Sequence, residues 1–397
     1  MKAIIIGGGI GGIAAAIGLH RAGIDAHIYE RATALLEIGA GISLWPNAIN
    51  ALNELGLKHE LGAHSYSGVS GDVRTSRGRV LSGANSRESS WRYGLTFTVF
   101  HRAELLSLLV GAVKPDYIHL DHCCTGFAQD GAAVIAQFSN GCTEQGDVLI
   151  GADGLRSAIR SQMFGEKSPR YSGYTAWRAV VEFQPTEVTA TEIWGRGRRF
   201  GSIPMDGRRV YWYATQNAPE GERDSPAGTK RKLLKLFRGW GFVEGLIEAT
   251  QESAIIRNDI YDRDPLSRWS DNRVTLLGDA AHPMTPNLGQ GGCQAIEDAV
   301  VLAACLGTQS RADAALREYE RRRIPRTTRI VMASRRIGQL SQWENPILCS
   351  VRNALIRATP ESVTARQINS VVVYEALAEA EKALLISNDS QPKAASR

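Results

Sequence analysis

The chain has 397 residues, 43% of them hydrophobic and 22% charged, and its 46 basic and 41 acidic side chains leave a net charge of +5. That length suits one large or two ordinary domains with a proper core, and the composition excludes a disordered main body. The basic excess is spread too thinly for a nucleic-acid surface, and the six cysteines (123, 124, 142, 293, 305, 349) lack metal-ligand spacing, so the expectation is a cytoplasmic protein with reduced thiols, no metal and no nucleic-acid partner.

In chain order, "KAIIIG" is a β-branched run that predicts a buried parallel strand. "GIGGIAAAIGLHRAG" follows as a helix ending at Gly23, and "DAHIYE" is the next strand, which completes a right-handed βαβ unit. The opening apolar run lacks a cationic leader and is broken by glycines, so neither a signal peptide nor a membrane span is expected. Helices are predicted near 46–56 and 102–113. "DVLIGADG" is a short strand ending in a glycine turn, with "LRSAIRSQMF" as the helix after it.

From about 171 to 265 the texture changes to short aromatic-rich strands, "TAWRAVVEF", "ATEIWG", "RRFGSIPM" and "RRVYWYATQ", which predict a largely antiparallel sheet. After "RVTLLGD" the chain returns to helices through about residue 340. Pro325 should kink or restart the last of these, and the basic run "EYERRRIPRTTR" within it reads as a solvated or phosphate-facing surface. "SRRIGQLSQWENPILCSVRNALIRATP" gives a further helix pair that packs over the nucleotide domain or across a subunit boundary, and the end of the chain reads as a fraying tail.

Two stretches carry chemistry. Gly7, Gly9 and Gly12 form GxGxxG after a strand and at a helix start, where a missing side chain lets backbone amides approach a pyrophosphate. Glu30 ends the second strand about 20 residues on, where a carboxylate binds ribose hydroxyls. This motif alone does not distinguish NAD from FAD. Far along the chain, Asp279 falls at the carboxyl end of a second buried strand, and Leu288, Gly289, Gln290, Gly291 and Gly292 lead into the apolar helix "CQAIEDAVVLAACL". An extended FAD would reach there, offering its ribityl chain to Asp279 and its ring to the amides of 288–292. The plain alternative for Asp279 is a strand-end cap.

With these residues the chain resembles the single-component FAD-dependent aromatic hydroxylases, the flavoprotein monooxygenases of the para-hydroxybenzoate hydroxylase type, from Met1 to about Arg357. "GGGIGGIAAAIGLHRAGIDAHIYER", including Gly11 and Arg31, matches their FAD fingerprint. "GADGLRSAIR", with Asp153 and Gly154, resembles their second signature, held to touch the pyrophosphate region and NAD(P)H. "GDAAHPMTPNLGQGGCQAIEDA" matches the third, with Asp279 as the ribityl carboxylate, and Arg102 matches the arginine that contacts the diphosphate or ribityl chain.

The resemblance implies an α/β fold: a Rossmann-like FAD-binding domain of the GR2 type with an inserted, mainly antiparallel substrate sheet and C-terminal helices. The implied division is 1–71, 98–170 and 266–340 for FAD, 72–97 and 171–265 for substrate, 341–375 for C-terminal helices and 376–397 for a flexible tail. It also implies that NADH or NADPH reduces FAD, that O2 adds to give a flavin hydroperoxide, and that one oxygen passes to an electron-rich substrate. Pro286 matches the proline beside the reacting flavin face, its backbone oxygen placed to orient a substrate.

"YSGYTAWRAVVEF", "RFGSIPMDGRRVYWY" and "TPNLGQGGC" look most like the bacterial FAD-dependent urate hydroxylases and hydroxylases of heteroaromatic or phenolic acids. By that likeness Arg199 and Tyr211 meet the substrate, the guanidinium holding an anionic acceptor. Alternatively Arg199 lines the flavin edge or pairs with an acid, and Tyr211 packs in the sheet. Trp177, Trp212 and Arg178 read as structural, and His282 as a tempting base just past the ribityl carboxylate. The expected protein is thus an NAD(P)H-consuming monooxygenase, monomer or homodimer, of a small aromatic or heteroaromatic compound. Its rivals are an epoxidase or Baeyer–Villiger oxygenase on the same scaffold and a non-catalytic flavin sensor.

Overall fold

The computed structural model describes residues 1–35, 40–64, 66–69, 71–83, 97–184, 189–206, 208–225 and 228–378. Most of the expected tail, from 379 on, lies outside them. A parallel five-stranded sheet runs in the order Val274–Leu276, Val148–Gly151, Lys2–Ile6, Asp25–Tyr29, Ile118–His119. Ala3, Ile4 and Ile5 have no exposed surface, because both faces are covered and an unbroken β-branched run suits that setting. One cover is the helix Ile10–Arg21, against which the helix Gly291–Thr308 packs through small residues. A Cβ on Gly18 would stand 2.9 Å from that of Ala303, so the two backbones approach closely only because neither residue is larger. A three-stranded antiparallel sheet, Cys124–Gln129, Val134–Phe138 and Thr143–Gly146, adds Val134, Ala136 and Phe138 to the same core.

A seven-stranded sheet forms the second layer, in the order Ile256–Asp262, Arg170–Glu182, Arg209–Asn217, Arg198–Pro204, Ala190–Trp194, Gly71–Thr75, Val80–Gly83. It is antiparallel except where Ala190–Trp194 meets Gly71–Thr75. Strand alternation sends Trp177, Phe200 and Trp212 to one face. There they pack on Leu233, Phe237, Val243, Leu246 and Ile247, from two short helices, Thr229–Leu236 and Phe242–Ala249, that the sequence reading of this stretch as strands did not anticipate. The indole N–H of Trp212 donates to Thr250 at 2.9 Å and that of Trp177 to Asp224 at 2.5 Å, so each buried ring keeps its polar edge satisfied.

The helix Ala312–Ser341 runs through Pro325 as one element, so of the expected kink or restart the restart does not occur. Nor is its basic run simply a solvated face. Arg323 has no exposed surface and Arg326 very little, and both point inward to acids on Gly291–Thr308. Glu297 accepts from Arg323 at 2.5 Å and from Arg326 at 2.7 and 2.8 Å, while Asp298 accepts from Arg323 at 2.6 Å and from the backbone N–H of Gly278 at 3.0 Å. Asn47 and Gln294 supply further donors to Glu297. Two acids and two guanidinium groups cancel in charge, which is the condition for burying them together. The network locks both helices to the turn that carries Asp279.

Candidate active site

The first strand ends where the chain has no room for side chains. A Cβ on Gly12 would lie 2.0 Å from the carbonyl oxygen of Gly7, and one on Gly7, whose φ is +110°, would lie 2.4 Å from that of Ala152. A Cβ on Gly11 would meet side chains instead, Leu277 at 2.8 Å and Ala295 at 3.2 Å, so it serves packing. At Gly9 nothing stands within 4 Å of a Cβ, and no side chain caps the helix beginning at Ile10. Open space before uncapped amides at the positive end of a helix suits an anionic diphosphate.

Glu30 accepts from the Gly8 N–H at 2.6 Å and the Ala32 N–H at 2.9 Å, so its carboxylate is fixed beside the glycine turn with exposed Arg31 next to it. Asp153 accepts from the Ala158 N–H at 2.8 Å at the start of the helix Ala158–Phe164, which Ser157 caps, and Gly154 turns the chain with φ +80°. Burial raises the pKa of Asp153, and its Oδ1 has no hydrogen-bond partner among the described residues.

Asp279 sits in a single 3-10 turn, Gly278–Ala280, just past the strand Val274–Leu276. Its side chain is open to solvent, yet burial among protein raises its pKa, with the charges of His282 and Arg102 opposing the rise. A carboxylate on the wall of a deep cleft has both properties. Arg102 opens the helix Arg102–Gly111, its N–H bonded to Ala40 at 2.9 Å, and its charge reaches both Asp279 and Tyr211.

Beyond Asp279, Pro286–Leu288 forms a 3-10 turn closed by the Gly289 N–H on the Pro286 carbonyl at 3.0 Å. The backbone oxygen expected to meet a substrate therefore already accepts one hydrogen bond and keeps one lone pair. Gly289 takes φ +60°, and the helix from Gly291 has no side-chain cap. A Cβ on Gly291 would be 3.9 Å from Asp279 Oδ1, which makes the carboxylate and the helix start neighbours. His282 is buried, with Nε2 2.6 Å from Asp298, so it belongs to the ion network and is not displayed as a base.

The other face of the seven-stranded sheet carries polar groups. Arg199 is 2% exposed; its Nη1 donates to Glu192 at 3.0 Å and its Nη2 to Asn287 Oδ1 at 2.6 Å, while its Nε has no hydrogen-bond partner among the described residues. Burial pulls its pKa down, but Glu192 and Tyr174 outweigh that and keep it charged. Asn287 lies in the Pro286 turn and is anchored by donation to Thr285 and Ser334. Arg199 thus ties the sheet to the turn beside Asp279.

Tyr211 is buried, and its ring occupies the space where a Cβ on Gly41 would stand, so it packs the seven-stranded sheet against the strand Gly41–Leu44 while sensing Arg178 and Arg102. Three residues the sequence reading did not select as site residues meet at this face. Glu192 and Asn287 bind Arg199. Tyr213 pairs across strands with Arg178 and with Gly201, and its ring lies where Gly201 would carry a Cβ, 2.2 Å away. Burial and then Glu192 push the Tyr213 phenol well above its ordinary value. The alternation Tyr211–Tyr213 opposite Gly201 was the sequence signal that could have found it.

The profile of the FAD binding domain family matches residues 1–334. The aurachin C monooxygenase/isomerase of Stigmatella aurantiaca is 44% identical over 360 residues, which cover 90% of this chain and 94% of that one. The chloroplastic zeaxanthin epoxidase of Solanum lycopersicum is 37% identical over 318 residues, covering 76% of this chain; the chain spans about half, 47%, of that longer protein. Among solved structures, Klebsiella pneumoniae HpxO complexed with FAD and uric acid superposes with a TM-score of 0.87 at 32% identity, over 94% of this chain and 97% of that one.

Proposed function

The chain belongs to the FAD-binding family of flavoprotein monooxygenases, and from that premise we propose that it hydroxylates a small electron-rich heteroaromatic compound on the polar face of the seven-stranded sheet. FAD, reduced by NAD(P)H, supplies the activated oxygen. The chain's own residues hold, aim and enclose. Gly7, Gly9 and Gly12 shape the turn that receives the diphosphate, Gly11 lets the helix behind it pack on Leu277 and Ala295, Glu30 and Arg31 meet the adenosine ribose, and Asp153, Gly154 and Arg102 line the route to Asp279, which takes the ribityl hydroxyls. Pro286, Leu288, Gly289, Gly291 and Gly292 face the ring.

One observation carries the substrate assignment: a buried, charged Arg199 with a spare Nε donor, fixed by Glu192 and by Asn287 of the Pro286 turn. Such a donor selects a carbonyl, carboxylate or deprotonated ring nitrogen, as in the uric acid bound by the Klebsiella protein. Tyr211 and Tyr213 wall the same space and keep water out. The division into a discontinuous FAD domain, an inserted substrate sheet and C-terminal helices belongs to this reading, as does a cytoplasmic monomer or homodimer.

Likeness to zeaxanthin epoxidase supports a second reading, epoxidation on the same scaffold. Purified yellow holoenzyme should be offered purines, N-heteroaromatics and phenolic acids with NADH or NADPH. Substrate-stimulated NAD(P)H oxidation coupled to a hydroxylated product is expected. An epoxide as the sole product selects the second reading, and no stimulation by any aromatic compound defeats the first.

A further inference from the structure

Beside the strand ends at Thr75, Trp194 and Arg198, a cavity of about 960 Å³ opens between the hairpin around Arg77, the turn around Arg196 and the helix Pro346–Ala358. Six arginines line it: Arg77, Arg79, Arg196, Arg198, Arg352 and Arg357. Among the described residues the only acid in the lining is Glu344, which accepts from Asn217 at 2.9 Å. The bonds that three of the arginines make go to neutral groups: Arg196 to the Glu344 carbonyl, Arg198 to that of Leu236, and Arg352 to those of Leu340, Ser341 and Gly195 and to the Asn353 side chain. Among the described residues none of the six makes an ion pair, in a protein whose other arginines repeatedly do.

The same helix carries an exposed apolar stripe. Ile347 is 71% exposed, Leu348 44%, Val351 48% and Leu355 65%. At 3.6 residues per turn these four fall within about 100° of one side. Ser350 and Ala354, at the cavity rim, lie next to that stripe around the helix. Clustered like charges repel one another and large apolar side chains cost free energy in water, and here the two adjoin.

We propose that this face docks on an anionic lipid bilayer, the stripe entering the boundary between headgroups and acyl chains while the arginines meet lipid phosphates. The combination of an apolar helical side and flanking cations is that of a helix lying in a membrane interface, and no helix of the described residues is long and apolar enough to cross one. A second copy fits less well, since a two-fold contact sets the same patch on both partners and would bring arginines against arginines. Residues 379–397 of the chain carry three acids and three bases, so they offer no compensating charge.

The test is co-sedimentation of FAD-loaded protein with vesicles of phosphatidylglycerol and phosphatidylcholine, and with phosphatidylcholine alone. Binding to the anionic vesicles is expected, weaker by about tenfold or more on the neutral ones and in high salt. Val351→Glu/Leu355→Glu and Arg77→Ser/Arg79→Ser should each weaken it by a similar factor while flavin content and unfolding temperature stay unchanged. The proposal is overturned if the protein ignores anionic vesicles. It is equally overturned if Leu355→Glu dissociates a dimer instead of weakening vesicle binding, or if pyrophosphate binds the cavity and neither glutamate variant changes sedimentation. None of these readouts depends on which compound is oxygenated.

Discussion

At Gly201 the missing side chain is what places a neighbour. The Tyr213 ring fills the space a Cβ would need, so Gly201→Ala must push the ring off the polar face. We expect that variant to keep its flavin and its fold but to release peroxide in place of product, measured as NAD(P)H consumed per hydroxylated molecule; unchanged coupling would remove Tyr213 from the substrate wall. Asp279→Ala tests the other end of the cleft. Loss of a charged acceptor for ribityl hydroxyls should weaken FAD binding by on the order of tenfold to a hundredfold, read as flavin lost on dilution and gel filtration, with circular dichroism unaltered. Gly7, Gly9, Gly12 and Asp279 were legible because their roles follow from position relative to a strand end. Glu192, Asn287 and Tyr213 were not, because each takes its place through a cross-strand or tertiary contact, Glu192 and Tyr213 across neighbouring strands and Asn287 meeting Arg199 88 residues away.

Among elements, the pairing of Gly291–Thr308 with Ala312–Ser341 depends on buried charge, and that makes it sensitive to acid. Burial alone would raise the Asp298 carboxyl, but His282 and Arg323 outweigh it and hold its pKa at about 2; Glu297 is lowered in the same way by Arg323 and Arg326. A carboxyl depressed in the folded state contributes stability above its unfolded value near 4, and loses that contribution as pH falls through the folded value. For Asp298 the amount is on the order of 2 kcal/mol. Urea unfolding from pH 6 down to pH 2 should show stability falling below about pH 5. Arg323→Met should be less stable than wild type at pH 7 by about 3–5 kcal/mol, because it leaves Glu297 with Arg326 as its one guanidinium partner and Asp298 with none. If Arg323→Met is as stable as wild type, the helices are held by their small-residue packing instead. The basic run in the long helix misled the sequence reading because composition does not reveal partners. The signal was the acidic pair inside "CQAIEDAVVLAACL", carboxylates that an otherwise apolar helix has no reason to carry unless cations meet them.

For the whole molecule, the parallel core and the aromatic sheet were legible from strand texture, since β-branched runs and alternating aromatics state which faces are covered. The helices Thr229–Leu236 and Phe242–Ala249 were not, being eight residues each, too short for their period to stand out from the surrounding strands. Both layers face one cleft, so its cofactor acts as a bridge between distant parts of the chain. Apoprotein should therefore unfold more easily than holoprotein, by about 3 kcal/mol at a hundredfold excess of FAD over its dissociation constant. Equal melting temperatures with and without FAD would contradict a cofactor held by the folded state alone.

The central sheet takes its middle strand from Lys2–Ile6 and one border strand from Val274–Leu276. During synthesis, the glycine turn that receives one end of the dinucleotide leaves the ribosome first, and the helix from Gly291 that receives the other leaves nearly 300 residues later. Flavin loading must then wait for almost the entire polypeptide, which leaves the newborn amino-terminal half to survive without its pigment and makes the cell's supply of free FAD at that late moment a determinant of yield.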